Sequence, residues 1–307
     1  MTLRVPLVDP WSSEKGHLLE ALSKIGVVYL HSARGSSCLP PPEYGNWQKL
    51  LAMTRYDMRS YKQRPCVARG FLRFTNREDL KRTLAGDSKQ HRPDEREMFG
   101  FADNGSRATN LDWGDLEWLP AGYNALKAAV ANLLEAELRP MCATEPPYER
   151  ESLAAKIRDG RERWSSTRLR HCFYPNGGSC TEHTDYGLVT IQHCTDSGLE
   201  GFIGGDWCQL QPPEGAAVLF AGDMLERMTN GRTKALLHRV TLSGVAETLH
   251  KGRRVVRQSH ILFLQPDSHT TVQPLAITRT GDGTDLKPVK YGDWHKEKVH
   301  LAFGLDR

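Results

Sequence analysis

The sequence predicts a mainly β protein with flanking helices: an antiparallel sandwich or jelly roll in the second half of the chain, with a mostly helical first half packed on its outside. Three observations predict it. From Leu169 to Pro266 short apolar runs are punctuated by Asn-Gly-Gly, Gly-Gly, Pro-Pro and Asn-Gly turn signals. Before Arg158, apolar residues recur at helical spacing. The chain has 307 residues, 39% hydrophobic and 25% charged, enough to bury the core of one large domain or of two closely joined lobes.

In chain order, Leu18, Leu19, Leu22 and Ile25 form one face of a helix between a Ser12 cap and Gly26, and Val27 to Leu30 then reads as a buried strand. Three consecutive prolines between Cys38 and Gly45 force the chain across the surface. Leu126, Val130, Leu133, Leu134 and Leu138 mark a long helix that Pro140 ends or bends. After the charged patch Arg158 to Arg163 strands dominate. Gly204-Gly205 suits a tight hairpin, Trp207 to Leu210 a strand, Pro212-Pro213 a break and Ala216 to Phe220 a buried strand. The expected division is a mostly helical region over 1–165, a β core over 166–270, and a segment over 271–307 that packs back on it.

Composition excludes several functions. A net charge of +4 on a chain this long implies no nucleic-acid partner. No run of about 18 apolar residues occurs, and proline and charge come too early near Met1 for a secretory leader, so a cytoplasmic protein without a membrane partner is expected. The cysteines at 38, 66, 142, 172, 180, 194 and 208 are odd in number and never spaced CxxC, which favours reduced thiols over disulfides or structural zinc. The Asn104-Gly105-Ser106 sequon has no consequence without secretion. HExxH and the phosphate-binding GxxxxGK[ST] are absent, which removes the metalloprotease and nucleotide-binding readings.

Two His-x-acid tripeptides occur, where chance alone supplies roughly 1.4. His295-Lys296-Glu297 lies in a polar run and reads as solvated surface. His183-Thr184-Asp185 instead opens into the apolar run from Tyr186 to Gln192, and in extended chain both side chains point to one side, where they can face a metal. His238, 53 positions beyond Asp185, fits as the third ligand; it fits equally well as a histidine packed in a strand. Two histidines and a carboxylate would leave one face of an octahedron open, the arrangement that suits non-haem Fe(II) and oxygen activation. Arg257 and Ser259, two apart on another expected strand, form a carboxylate clamp of a planar fork with a hydroxyl beside it. Fe(II), Asp185 and a bound dicarboxylate sum to a formal −1, which Arg257 would cancel. A surface ion pair is the rival role for that arginine.

Many further positions agree in order with one family. Tyr174-Pro175, the run His183 to Gln192, Trp207 through Gly215, Gly222-Asp223-Met224-Leu225, Thr229-Asn230-Gly231, His238-Arg239-Val240 and Arg257-x-Ser259 resemble the iron- and 2-oxoglutarate-dependent oxygenases related to isopenicillin N synthase. A weaker likeness extends to Arg69-Gly70, Glu95 to Phe101 and the helix from Gly122. The resemblance implies a double-stranded β-helix (jelly roll) core whose two sheets enclose the iron. His183, Asp185 and His238 are then the Fe(II) ligands, and Arg257 and Ser259 bind the distal carboxylate of 2-oxoglutarate. Tyr174 adds a hydroxyl near that cosubstrate, or is a core tyrosine satisfied elsewhere. O2 is the co-reactant and ascorbate a reductant.

The reaction implied is oxidation of an unactivated C–H bond of a small-molecule substrate by hydroxylation, desaturation or ring closure, with release of succinate and CO2, in specialised metabolite biosynthesis. The enzyme is expected to be a monomer. Rival readings are an iron oxidase of the same fold that uses no 2-oxoglutarate, and a non-catalytic small-carboxylate binder. Arg69 and Arg73 either hold a substrate carboxylate or are exposed arginines. Asn230-Gly231 is expected in a turn and Asp223 with Arg239 in a structural pair. The sequence departs from the family in a polar extension, Ser243 to Arg254, which requires an enlarged hairpin and puts Arg253 and Arg254 in a solvated loop, with contact to substrate as the lesser alternative. It departs again at Cys172, where plant relatives often place asparagine, and at the loop Asn176 to Cys180, which lacks their Cys-Pro pattern.

Overall fold

The computed structural model describes residues 4–12, 17–32, 70–74, 96–102, 118–145, 149–161, 164, 166–175, 179–194, 196–241, 248–250, 253–276 and 286–303. The proline-rich crossing, Arg69, Cys38, Cys66 and the sequon lie outside them.

Among the described residues two sheets face each other. The larger runs in the order β1 (Leu7–Val8), β2 (Val27–Leu30), β10 (Ala217–Ala221), β7 (Val189–Cys194), β13 (Arg253–Leu264), β5 (Arg168–Pro175), β4 (Arg96–Ala102) and β3 (Gly70–Phe74), with β12 (Thr248–His250) paired to the start of β13. The smaller runs β6 (Cys180–His183), β11 (His238–Val240), β8 (Leu199–Ile203) and β9 (Asp206–Gln209). A short pair, β14 (Thr271–Val272) with β15 (Val289–Lys290), stands apart. The helices are α1 (Leu18–Ile25), α2 (Trp118–Ala143), α3 (Leu153–Asp159), α4 (Asp223–Met228) and α5 (Tyr291–Phe303). None of the described helices is long and apolar enough to cross a membrane.

Because strand side chains alternate, the large sheet has two distinct faces. One carries Leu169, Val189, Ile191, Leu262 and Leu264 and packs with Leu126, Val130, Leu134 and Leu138 of α2. The other carries Cys172, Tyr174, Val218, Phe220 and Ile261 and packs on Cys180, Leu199, Leu236 and Val240, the lining of the space between the sheets. That two-sheet core is the expected jelly roll. The strands β1 to β4 were not legible as its extensions, because their partners lie far off in sequence.

Local devices match the sequence in part. Gly26 closes α1 with φ 74°, and Gly204 and Gly205, at φ 65° and 95°, form the tight turn between β8 and β9. Ser12 does not cap α1. The helix begins after His17, and its first amides, on Leu18 and Leu19, donate instead to the Glu137 carboxylate of α2 at 3.0 and 2.7 Å. Pro140 lies within α2 rather than ending it. The charged patch hid α3, which Ser152 caps through the Ala155 amide and Gly160 closes at φ 68°. Asn230 and Gly231 turn at positive φ as expected. Arg253 and Arg254 belong to the β12–β13 hairpin, opposite His250 and Leu249, rather than to a loop.

Under α2 the outer face of the sheet carries three histidines side by side: His171, His260 and His193 are paired across β5, β13 and β7. The rings of His171 and His260 are 4.7 Å apart, and Tyr123 of α2 bonds His260 Nδ1 at 2.8 Å. Burial pushes His171 down to about 3 and, with the neighbouring His171 and His193, holds His260 well below the usual imidazole range. Such groups bind protons in the unfolded chain before they do in the folded one. Stability is therefore flat above about pH 6.5 and falls as pH drops below it, by up to ~1.4 kcal/mol for each of the two histidines over the first pH unit. Urea midpoints at pH 7.5 and 5.5 test this: the drop should shrink in His171→Leu, and an equal drop would remove these residues as its cause.

Candidate metal centre

Strand pairing assembles the centre. His238 of β11 lies directly opposite His183 of β6, which brings the two rings to 4.4 Å between centroids. Asp185 follows β6 by two residues, with Oδ1 3.7 Å from His183 Nε2. One ligand atom from each of the three lies within 4.8 Å of the others, the spacing of a set that could hold one metal ion. Asp185 and His238 are buried, and His183 is the most accessible of the three.

Backbone carbonyls fix both imidazoles. His183 Nδ1 lies 2.8 Å from the Thr181 carbonyl and His238 Nδ1 lies 3.0 Å from that of Leu236. A carbonyl oxygen only accepts, so each Nδ1 carries the hydrogen and each Nε2 keeps a lone pair for a cation. Thr190 of β7 donates its hydroxyl to Asp185 Oδ2 at 2.6 Å, orienting the carboxylate from the opposite sheet. Sequence reasoning passed over Thr190, although it lies inside the run that carries the motif.

The loop bearing Asp185 is held by α4. The amides of Gly222, Asp223 and Met224 donate to the carbonyls of Leu188, Asp185 and Gly187 at 2.9, 2.7 and 3.0 Å. Asp223 pairs with Lys298 at 3.5 Å, not with Arg239; Arg239 pairs with Glu200 at 2.7 Å and stacks on Trp207. His295 is not solvated either. It sits half-buried in α5 against the rings of Tyr186 and Tyr291, and burial, with the charges of Arg168 and Arg170, pushes it down to about 4.

On the facing sheet Arg257 and Ser259 are wholly buried on the inner side of β13. The Arg257 guanidinium lies over the Tyr174 ring at 5.2 Å, and its Nη2 donates to Cys194 Sγ at 2.7 Å. Its Nε and Nη1, and Ser259 Oγ, have no partner among the described residues. A buried guanidinium stays charged, so unpaired donors facing an enclosed space are costly unless an anion completes them. The donor set fits one end of a dicarboxylate. Cys194, which grips the arginine, carries no sequence signal; only the β7–β13 register, Ser259 opposite Cys194, reveals it. Arg73 lies on β3, away from this pair in the sheet order.

Residues 163–266 match the family model described as the 2OG-Fe(II) oxygenase superfamily. A rice protein named 2-oxoglutarate-dependent dioxygenase 19 (Oryza sativa subsp. japonica) is 33% identical over 115 residues, 36% of this chain and 31% of that protein. The melon (Cucumis melo) 1-aminocyclopropane-1-carboxylate oxidase 1 is 34% identical over 111 residues, 36% of this chain and 32% of its own. The chain thus spans about a third of the length of these curated relatives. A full-length Neurospora crassa protein solved in complex with alpha-KG superposes with a TM-score of 0.60 over 97% of this chain and 96% of its own; at 18% identity that likeness concerns the fold.

Proposed function

The chain belongs, through residues 163–266, to the 2OG-Fe(II) oxygenase superfamily, and on that premise we propose that it oxidises an unactivated C–H bond of a small molecule with consumption of 2-oxoglutarate and O2. One observation carries the reading: a two-histidine, one-carboxylate set on the small sheet faces a buried arginine and serine with unpartnered donors on the large one. In this reading His183, Asp185 and His238 hold ferrous iron through Nε2, a carboxylate oxygen and Nε2. Arg257 and Ser259 receive the distal carboxylate of 2-oxoglutarate, and Tyr174 lies against the guanidinium that does so. Bound iron supplies oxygen activation coupled to oxidative decarboxylation of 2-oxoglutarate to succinate and CO2.

The chain's own residues do the rest. Arg257 balances the formal −1 left by iron, Asp185 and the dicarboxylate. Thr190 and the two carbonyls fix ligand orientation before any ion arrives. Phe220, packed against the His238 ring at 4.5 Å, helps exclude water. Hydroxylation, desaturation and ring closure all remain outcomes of this chemistry, and a cytosolic monomer serving specialised metabolism is the setting proposed for it.

Anaerobic addition of Fe(II) and 2-oxoglutarate to the metal-free protein is expected to give a visible chelate absorption band. His238→Ala should abolish it. A wild type without the band overturns the cosubstrate assignment. The rival is an iron oxidase of the same fold that needs no 2-oxoglutarate; succinate released in step with substrate consumption excludes it, and substrate oxidation without succinate establishes it.

A further inference from the structure

The register of the large sheet places two more arginines on the side that faces the metal centre. Arg170 pairs with Ile261 and Arg168 with Phe263 across β5 and β13, and Phe263 pairs in turn with Thr190 of β7. Directly paired residues point to one face of a sheet, and Thr190 is the residue that bonds Asp185. Arg168 and Arg170 therefore share the inner face with Arg257, Ser259 and Thr190. The Arg170 guanidinium lies over the Phe263 ring, 4.9 Å from its centroid. Arg170 lies on Phe263, whose cross-strand partner Thr190 bonds the metal-facing carboxylate of Asp185.

We propose, on the reading given under Proposed function, that Arg170, with Arg168 two residues before it, binds an oxyanionic end of the primary substrate, the Phe263 ring supporting its apolar body. Charge accounting supports this. Iron, Asp185, 2-oxoglutarate and Arg257 already sum to zero, so Arg170 adds a positive charge to the lining. Among the described residues no salt bridge joins it to a carboxylate; its guanidinium lies on the aromatic ring with His295 within reach of its charge, and the edge of the fork is left to meet a planar anion. Both arginines are only half-buried, as a group that must meet an entering ligand requires, whereas Arg257, farther along the same face, is wholly buried. The geometry thus divides two anions between two sites: the cosubstrate at Arg257 and the substrate at Arg170.

The test uses wild-type protein saturated with Mn(II), which does not turn over, and 2-oxoglutarate, so that Arg257 is occupied. Binding of 3-phenylpropanoate, its neutral amide and phenyl phosphate is measured by calorimetry. At least one oxyanion should bind about tenfold or more tightly than the amide. The tighter of the two distinguishes a carboxylate-ended from a phosphate-ended ligand. Arg170→Gln should reduce that preference to about threefold or less, Arg170→Lys should retain part of it, and Arg168→Gln should weaken it. The Fe(II)/2-oxoglutarate chelate band should persist in all three variants. No preference for an anion in the wild type, or an undiminished preference in Arg170→Gln, overturns the proposal. Loss of the chelate band in the wild type instead overturns the function on which it rests, so the two failures are separable.

Discussion

Replacing Arg257 with alanine is expected to raise the dissociation constant for 2-oxoglutarate by about 10²- to 10³-fold while ferrous iron still binds. A charge-assisted contact to a fully buried guanidinium accounts for roughly 3–4 kcal/mol when one partner is removed, which is that range of affinity. Arg257 has no carboxylate partner among the described residues; Cys194 and the Tyr174 ring are its contacts, and two of its three nitrogens are unsatisfied. The same substitution therefore relieves the cosubstrate-free protein. Arg257→Met, which fills more of the volume, should stabilise that form by about 1–3 kcal/mol in urea while abolishing the protection that 2-oxoglutarate confers on the wild type. Equal 2-oxoglutarate affinity in wild type and Arg257→Ala would show that the clamp lies elsewhere.

A single methyl group at position 222 is expected to damage the metal centre from behind. A Cβ on Gly222 would run into the carbonyl oxygen of Gly187 and lie 2.8 Å from that of Asp185. Both obstacles are backbone, and three amides of residues 222–224 tie the same loop. It cannot give way without moving Asp185. Gly222→Ala should cost ~2–3 kcal/mol of stability, the upper range for an overpacked site, and lower Fe(II) affinity at least about tenfold through the displaced carboxylate. A conservative change on the exposed side of α4 should do neither. If Gly222→Ala binds Fe(II) as the wild type does, α4 is not what holds Asp185 in place.

The sequence made the β core legible wherever period and turn chemistry agree, as at Gly204-Gly205 and along Val189 to Cys194. It also exposed the four polar residues with the strongest spacing signals: His183 and Asp185 two apart, and Arg257 and Ser259 two apart. Period 2 reveals which residues share a face, but register alone reveals what that face meets. Hence His238 could not be separated from a packed histidine until its pairing with His183 was seen, and the inward turn of Arg168 and Arg170 could not be read at all. Cys194 on Arg257, Glu137 on the start of α1 and the three histidines under α2 are likewise long-range juxtapositions. His295 illustrates the opposite failure: a polar neighbourhood in sequence concealed a half-buried position among aromatic rings.

The cross-strand pairing of His183 with His238 sets the distance between the two imidazoles independently of the length of the β8–β9 turn. Insertions at the tip of the β8–β9 turn would leave the imidazoles where they are. Deleting one residue inside β11 would instead rotate the second imidazole to the far side of the small sheet. Tolerance to length change should therefore be sharply uneven across this interval, permissive at the β8–β9 turn and absent in the loop that carries Asp185, in residues 222–224 that tie it, and in the three residues His238 to Val240.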